Sequence, residues 1–356
     1  MANLDMALDE NSFPGIDSRN DFGGTRRELS QDTDARFPSN SNAIGVRQSR
    51  APAGCPGFSI DETRAMQNDA KTTESARPTA IITGASSGIG EATARALAHA
   101  GYDLALIARR RDLLDLCAKQ VEEIGTNAYP IVADLADEVQ TDEAVREACA
   151  SLGRVDLLVN NAGYSPGAAI EQFSRQQMRH IFDVNLLSAL QLIGSVTPIM
   201  REQGGGRIVN IGSVAGMIPA PLAIPYAASK VGFHAATDAL RLELAPFGIK
   251  LSLVIPGFVD TAVFDNAREG AKHLREDESN PYRQVMFDLD ELAKKNLENP
   301  ISPDQVAEVI LHAATARRPK ERYYTPFSAG LQAWFMHLLP ARMKDGVLKR
   351  VYGINA

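Results

Sequence analysis

The chain has 356 residues, enough for two average domains or for one large α/β domain with extensions. Its apolar share of 44% and charged share of 23% are ordinary for a soluble globular protein, and a net charge of -7 argues against a general nucleic-acid binder. Cys55, Cys117 and Cys149 make no spaced framework, no Cys/His cluster has metal-ligand spacing, and no run of about 20 apolar residues is present to span a bilayer. The expectation is a cytoplasmic, reducing setting without a bound metal.

Residues 1–76 are rich in Asn, Ser, Asp, Arg, Gly and Pro, and no apolar periodicity persists in them. Such a segment cannot bury enough surface to offset chain entropy, so it is expected to be a disordered extension. Asp5, Asp9 and Glu10 at its start argue against a secretory signal, and Met66 is a candidate alternative start.

From Pro78 the pattern changes, and residues 77–326 are predicted as one domain. A short buried strand at 80–82 is followed by a helix at 88–100 with Ile89, Ala92, Ala96 and Leu97 on one face. A second strand (104–108), a helix (113–124), a third strand ending at 131–133 and a helix (138–152) come next. An almost wholly apolar fourth strand spans 155–159. Helices at 175–182 and 186–202, a strand at 207–211, a helix at 224–245 and a strand at 250–255 continue the alternation. Strands buried on both faces and separated by helices predict an α/β fold with a doubly wound parallel sheet of Rossmann type, of about seven strands.

Residues 261–300 break this rhythm: they are polar, and helical in patches at 265–275 and 289–297. An insertion directly after a strand of such a sheet is a candidate substrate lid. Ser302-Pro303-Asp304 opens a helix to about residue 316, and a last strand covers 322–325. The remaining 327–356 read as an amphipathic helical tail. Leu331, Trp334, Phe335, Leu338 and Leu339 form one apolar face, broken by Pro340. Val347, Leu348, Val351 and Tyr352 form another, flanked by Arg342, Lys344, Lys349 and Arg350. Such faces could cover a cleft, join subunits or rest on a membrane surface.

Two stretches carry chemistry. Thr83-Gly84-Ala85-Ser86-Ser87-Gly88-Ile89-Gly90 follows a strand and opens a helix. Its glycines let backbone approach a pyrophosphate, and the helix N-terminus supplies N–H groups and partial positive charge. The second strand ends in Ile107-Ala108-Arg109-Arg110-Arg111, with no acid to bind ribose hydroxyls and repel a 2′-phosphate. This predicts NADP(H), with Arg109 as the best candidate to pair with the phosphate; Arg110 and Arg111 could be only a solvated helix start. The second stretch is Tyr226-Ala227-Ala228-Ser229-Lys230. Spacing i, i+4 puts the phenol and the ammonium on one helix face, where the cation is expected to stabilise the phenolate and lower its pKa. Ser213, after the strand at 207–211, could polarise a carbonyl held against the Tyr226 hydroxyl.

Together these motifs resemble the short-chain dehydrogenase/reductase family over about residues 78–325. The matching set includes the TGASSGIG loop, Asp134 after the third strand and Asn160-Asn161-Ala162-Gly163 after the fourth. It continues with Asn185, Ser213, Tyr226 with Lys230, and Pro256-Gly257-Phe258-Val259-Asp260-Thr261. The resemblance implies Tyr226 as acid/base, Ser213 as holder of the carbonyl oxygen, Lys230 on the nicotinamide ribose and Asn185 as anchor of a proton-relay water. It assigns the cofactor to Gly84, Ser86, Ser87, Gly88, Ile89, Gly90, Arg109, Asp134, Leu135, Asn161, Ala162, Gly163, Tyr226, Lys230, Pro256, Gly257, Val259 and Thr261. Read alone, Asn160 and Asn161 could be a strand-end turn, Asp134 a helix cap and Asn185 a buried residue satisfying a kink.

The loop before Tyr226 is apolar (Met217, Ile218, Pro219, Ala220, Pro221, Leu222, Ile224) and, with Phe258, Val263 and Phe264, could build a hydrophobic pocket or simply pack. The expectation is an apolar alcohol or carbonyl substrate, such as a retinoid, steroid or fatty compound. The tail resembles those of retinol and hydroxysteroid dehydrogenases. A ketoacyl-thioester reductase is the first alternative and a non-catalytic NADP-sensing protein the second. The resemblance also implies a homodimer or homotetramer built on the helices 186–202 and 224–245.

Overall fold

The computed structural model describes residues 77–218, 220–261, 267–296 and 300–354. The expected disordered extension, with Cys55, and the pocket residues Pro219, Val263 and Phe264 lie outside the described residues.

Seven parallel strands form one sheet in the order β3-β2-β1-β4-β5-β6-β7. They are β1 (Thr79–Thr83), β2 (Asp103–Ala108), β3 (Ala128–Val132), β4 (Leu157–Asn160), β5 (Gly206–Ile211), β6 (Ile249–Pro256) and β7 (Arg322–Thr325). The order reverses beside β1, between its β2 and β4 neighbours, so the crevice beyond the carboxyl ends of β1 and β4 is where this architecture binds ligands. Side chains alternate across the sheet, as a period of two requires. Ile82, Leu104, Leu106, Leu157 and Val159 face one core, covered by α1 (Gly88–His99), α2 (Arg111–Ile124) and α9 (Pro303–Thr315). Ile81, Ala105, Ile107 and Leu158 face the other, covered by α3 (Glu138–Leu152) and α5 (Ser188–Glu202). Burying each such aliphatic side chain contributes about 1.5–3 kcal/mol, which is why both faces read as apolar runs. Cys117 and Cys149 belong to these layers, and burial pushes both thiols up to about 12, the condition of packing residues.

One difference from the sequence reading lies in the helix before β5. Helix α4 (Arg175–Phe182) runs into α5 through a π turn at Asp183–Leu187, which the sequence pattern does not announce. By length and composition alone the run Arg175–Glu202 is apolar enough to cross a membrane, although Ile181, Leu192, Ile193, Val196 and Met200 are buried in the protein's own cores. Helix α6 (Ile224–Leu244) then carries the Tyr226 and Lys230 positions.

In the insertion, α7 (Lys272–Glu276) and α8 (Arg283–Asn296) are helical. The latter starts six residues before the expected 289 because Val285 and Met286 join an apolar cluster with Leu222 and Ala169. Buried Asn280 ties the same segment down: it accepts from Gln172 Nε2 at 3.0 Å and donates to the Leu274 carbonyl at 2.7 Å. The tail folds as α10 (Phe327–Leu338) and α11 (Ala341–Val351), divided at Pro340 as its pattern predicts. Helix α10 packs on β7 and on the turn Val214–Gly216. Gly330 permits this, since a Cβ there would stand 2.4 Å from the Tyr324 ring. Ala333 and Met336 are buried, while Phe327, Leu331, Trp334, Phe335 and Leu338 are more than half exposed.

Candidate active site

The phosphate loop is built at the carboxyl end of β1. Gly84 and Gly88 have φ of +66° and +58°, the left-handed region that an L side chain rarely adopts. Gly90 is needed for closeness instead, because a Cβ on it would fall 2.2 Å from the Gly84 carbonyl oxygen. Asn161, after β4, braces the loop by donating its Nδ2 to the Thr83 carbonyl at 2.9 Å, while Thr83 Oγ1 accepts the N–H groups of Asn161 and Ala162, each at 3.0 Å. Ser87 stands at the N-cap of α1 without a side-chain cap bond. Its hydroxyl instead accepts from Arg110 Nη2 at 2.6 Å, and Ser86 accepts from the same nitrogen at 3.2 Å. A tight loop, an uncapped helix start and a guanidinium form a donor set that fits a nucleotide's phosphates.

The remaining expected cofactor residues are spread around this cradle. Thr261 packs over Gly88, 3.0 Å from where a Cβ would stand. Val259 is buried in the core and pairs with Ile301, and Pro256 ends β6, followed by Gly257. Leu135 is buried. Asp134 accepts the Ala136 N–H at 3.1 Å, but the helix cap of α3 is Asp137. Arg109 is exposed, and its charge acts on Tyr164 together with those of Asp134 and Asp183. Arg111 pairs with Asp115 at 2.9 Å, as a solvated helix start should, whereas Arg110, the exposed N-cap of α2, reaches the loop serines.

Ser213, Tyr226, Lys230 and Asn185 converge where β4 and β5 end. Ser213 adopts extended backbone at the head of the Val214–Gly216 turn; its Oγ accepts the Ala215 N–H at 3.1 Å, and its side chain acts on the Tyr226 phenol, pulling it down. Pro225 in the first turn of α6 sets Tyr226 at the start of the helix. Lys230, one turn on, is 4% exposed; its Nζ lies 6.0 Å from the Tyr226 ring centre and donates to the Ile211 carbonyl at 2.9 Å. Buried Asn185 sits in the π turn. Its Oδ1 accepts the Tyr164 N–H at 2.9 Å, and its Nδ2 donates to the Tyr164 carbonyl at 3.0 Å and to Ser229 Oγ at 3.2 Å. Gly163 borders both groups: a Cβ there would be 3.1 Å from Asn185 Oδ1 and 3.6 Å from Lys230 Nζ.

Known proteins share this arrangement of sheet and loop. A family model for short chain dehydrogenases matches residues 78–272. The chain belongs to the short-chain dehydrogenase family. It is 30% identical to the uncharacterized oxidoreductase YusZ of Bacillus subtilis over 276 residues, covering 76% of this chain and 97% of the relative. Among solved structures it resembles a single-substitution variant of the actinorhodin polyketide ketoreductase with NADPH at 30% identity and a TM-score of 0.60, covering 70% of this chain and 95% of that one. It also resembles a Burkholderia phymatum short chain dehydrogenase/reductase in complex with NAD at 27% identity and a TM-score of 0.65, covering 75% and 95%.

Two electrostatic features of this short-chain dehydrogenase correct the sequence reading. Burial pushes the Tyr226 phenol up, and the Ser213 hydroxyl opposes that without overcoming it. Burial also pulls Lys230 down to about 8. Desolvation disfavours both charged forms and wins over the expected cation-to-phenolate stabilisation, since the ammonium is turned to the Ile211 carbonyl.

Two residues of the site, His234 and Asn210, escaped sequence reasoning, and Leu222 is expected there only as one apolar residue of the loop before Tyr226. His234, two turns beyond Tyr226 on the same face of α6, accepts the Ser213 N–H at Nε2 (3.3 Å). Asn210 bonds across the sheet to Asn160 at 2.9 Å and onward to Thr237 at 2.9 Å. Leu222 holds a φ of +59°, fixed by its carbonyl accepting the Ala168 N–H at 2.8 Å and by packing under the insertion. An i, i+8 continuation from Tyr226 was the one available signal for His234.

Proposed function

We propose that the chain is an NADP(H)-dependent oxidoreductase that interconverts a carbonyl and an alcohol, with Tyr226 as acid/base. The observation that carries this reading is the meeting of Ser213, Tyr226 and Lys230 beside Gly163, at the same end of the sheet as the phosphate loop. When bound, the nicotinamide supplies or takes the hydride. Tyr226 holds the proton that a carbonyl oxygen gains on reduction, and burial keeps it on the phenol at neutral pH. The Ser213 hydroxyl steadies the charge that develops on that oxygen. Lys230 offers a fixed ammonium toward ribose hydroxyls. The Asn185 side chain is committed to Tyr164 and Ser229, so its part in the proton relay is to hold the turn from which backbone carbonyls meet a water.

NADP(H) is the proposed dinucleotide because β2 ends without an acid and Arg109 and Arg110 follow it, with Arg110 already at the loop serines. An apolar, lipid-like substrate is supported by the cluster of Leu222, Met286 and Ala169 with Leu274, Tyr282, Val285 and Leu289, and by α10 standing against the turn that bears Ser213. The segment 261–300 is then the lid. The exposed aromatic face of α10 supports peripheral contact with a membrane surface by an otherwise cytoplasmic protein. Leu187, in the π turn before α5, and Val231 and Leu242 along α6 are exposed and support a homodimer or homotetramer.

The test is NADPH consumption against apolar ketones, aldehydes, retinoids and acyl thioesters, with NADH as control. Tyr226→Phe should lower turnover by about a thousandfold while NADPH binding stays within about twofold. Wild-type protein that binds NADPH but turns over none of the panel would favour the sensor reading. The likeness to a polyketide ketoreductase favours acyl thioesters as the second substrate class, and the same panel separates it from the first.

A further inference from the structure

His234 is buried, 5% exposed, against the loop that carries Ser213. Its ring fills a slot between the two glycines that flank that serine. A Cβ on Gly212 would stand 2.3 Å from Nε2, and one on Gly216 would stand 2.6 Å from Cε1. Any larger residue at either position would expel the ring or the loop. Within the slot Nε2 faces the Ser213 N–H at 3.3 Å. A nitrogen that accepts carries no proton, so the ring is neutral with its proton on Nδ1. The serine is thereby held at two points: its N–H by His234, and its Oγ by the Ala215 N–H at 3.1 Å. One lone pair of the hydroxyl is thereby taken, and its proton and second lone pair are left for the reacting oxygen and for Tyr226, whose phenol the serine pulls down against burial.

We propose that His234 is a positioning residue for carbonyl reduction, a neutral imidazole that fixes the Ser213 backbone so that the serine hydroxyl is aimed at Tyr226 and at the reacting oxygen. This inference rests on the function proposed above. Burial, helped by the charges of Lys230 and Arg322 and opposed by that of Asp238, holds the imidazole down to about 4. The ring therefore stays an acceptor through the neutral range and takes no part in proton transfer.

The test uses the full chain and two variants. His234→Leu keeps the bulk and removes the acceptor, whereas His234→Gln can return an oxygen near the position of Nε2. Leaving a buried N–H unpaired beside the reacting groups should lower kcat about tenfold or more in His234→Leu, with KM for the carbonyl and NADPH affinity within about twofold of wild type. His234→Gln should recover most of the loss. In a Ser213→Ala background, His234→Leu should change kcat by less than about twofold, because the histidine acts through the serine. An unchanged kcat in His234→Leu, an equal loss without Ser213, or no recovery in His234→Gln each overturns the proposal. Nitrogen NMR of the wild-type protein decides the geometry even where a variant fails to fold. A coupling across the hydrogen bond between the Ser213 amide nitrogen and His234 Nε2 is expected, and a protonated Nε2 at neutral pH overturns it. The NMR result is independent of turnover, so an inactive wild-type protein would sink the proposed reaction and leave this readout standing.

Discussion

Lys230 holds a charge in a place that disfavours it, and replacing it with methionine separates stability from catalysis. Burial brings its ammonium down to about 8 from 10.5, a difference that amounts to about 3 kcal/mol against the charged form at pH 7. Methionine removes that penalty and keeps the stem, but it orphans the buried Ile211 carbonyl, which costs about 1–2 kcal/mol. The net expectation at pH 7 is a variant about 1–2 kcal/mol more stable than wild type, a rise in Tm of about 2–8 °C for a domain of this size. The dependence on pH has a definite sign. Between about 8 and 10.5 the unfolded chain binds more protons than the folded one, so wild-type stability rises across that window while that of Lys230→Met does not. The two curves should cross, with wild type the more stable near pH 10. Calorimetry at several pH values reads this directly, alongside loss of turnover in the variant at every pH. A Lys230→Met protein less stable than wild type at pH 7, or one whose advantage grows with pH, would refute the argument from desolvation.

Gly90→Ala places a Cβ 2.2 Å from the Gly84 carbonyl, so it should destabilise the fold by about 1–3 kcal/mol and weaken NADPH binding at least tenfold by titration; Gly194→Ala, which meets nothing within 4 Å, is the neutral control. Arg110→Ala should raise KM for NADPH about tenfold and leave NADH unchanged, whereas Arg111→Ala, which loses only its exposed pair with Asp115, should change neither. Trp334 is the chain's single tryptophan and is 59% exposed on α10, so its fluorescence should shift to the blue on adding vesicles of phosphatidylcholine and phosphatidylserine. A blue-shifted spectrum that depends on protein concentration without lipid would point to self-association instead.

Much of this site is legible in the sequence because it depends on local rules. Glycines at the left-handed positions 84 and 88 betray the loop, and runs such as Leu157–Asn160 betray strands buried on both faces. Tyr226 and Lys230 share a face because a helix repeats every 3.6 residues. What stays hidden depends on facts that no local pattern holds. Arg109 and Arg110 differ by one position after β2, and which of them meets the serines is set by how the chain turns into α2. The π turn at Asp183–Leu187 is made by the tertiary environment of Asn185, whose amide is satisfied from Tyr164 and Ser229, 21 and 44 residues away. His234 belongs to the site only because Gly212 and Gly216, on another element, leave room for its ring.

The protonation of Tyr226 departs from the sequence reading for a related reason: charge can be read from a sequence, whereas the exclusion of water cannot. A cation one helical turn away favours the phenolate only where its own charge is retained and aimed at the oxygen. Here the ammonium is itself desolvated and bonded to the Ile211 carbonyl, so the neighbour the sequence offers as an activator is partly spent on the strand. The Ser213 hydroxyl, contributed by a different element, is the group that lowers the phenol. Tuning of this acid thus passes to the serine, and from the serine to whatever fixes its backbone. Substitutions around Gly212, Gly216 and His234 should therefore move the proton chemistry more than substitutions on the exposed face of α6, even though the two sets lie equally close in sequence to Tyr226 or Ser213.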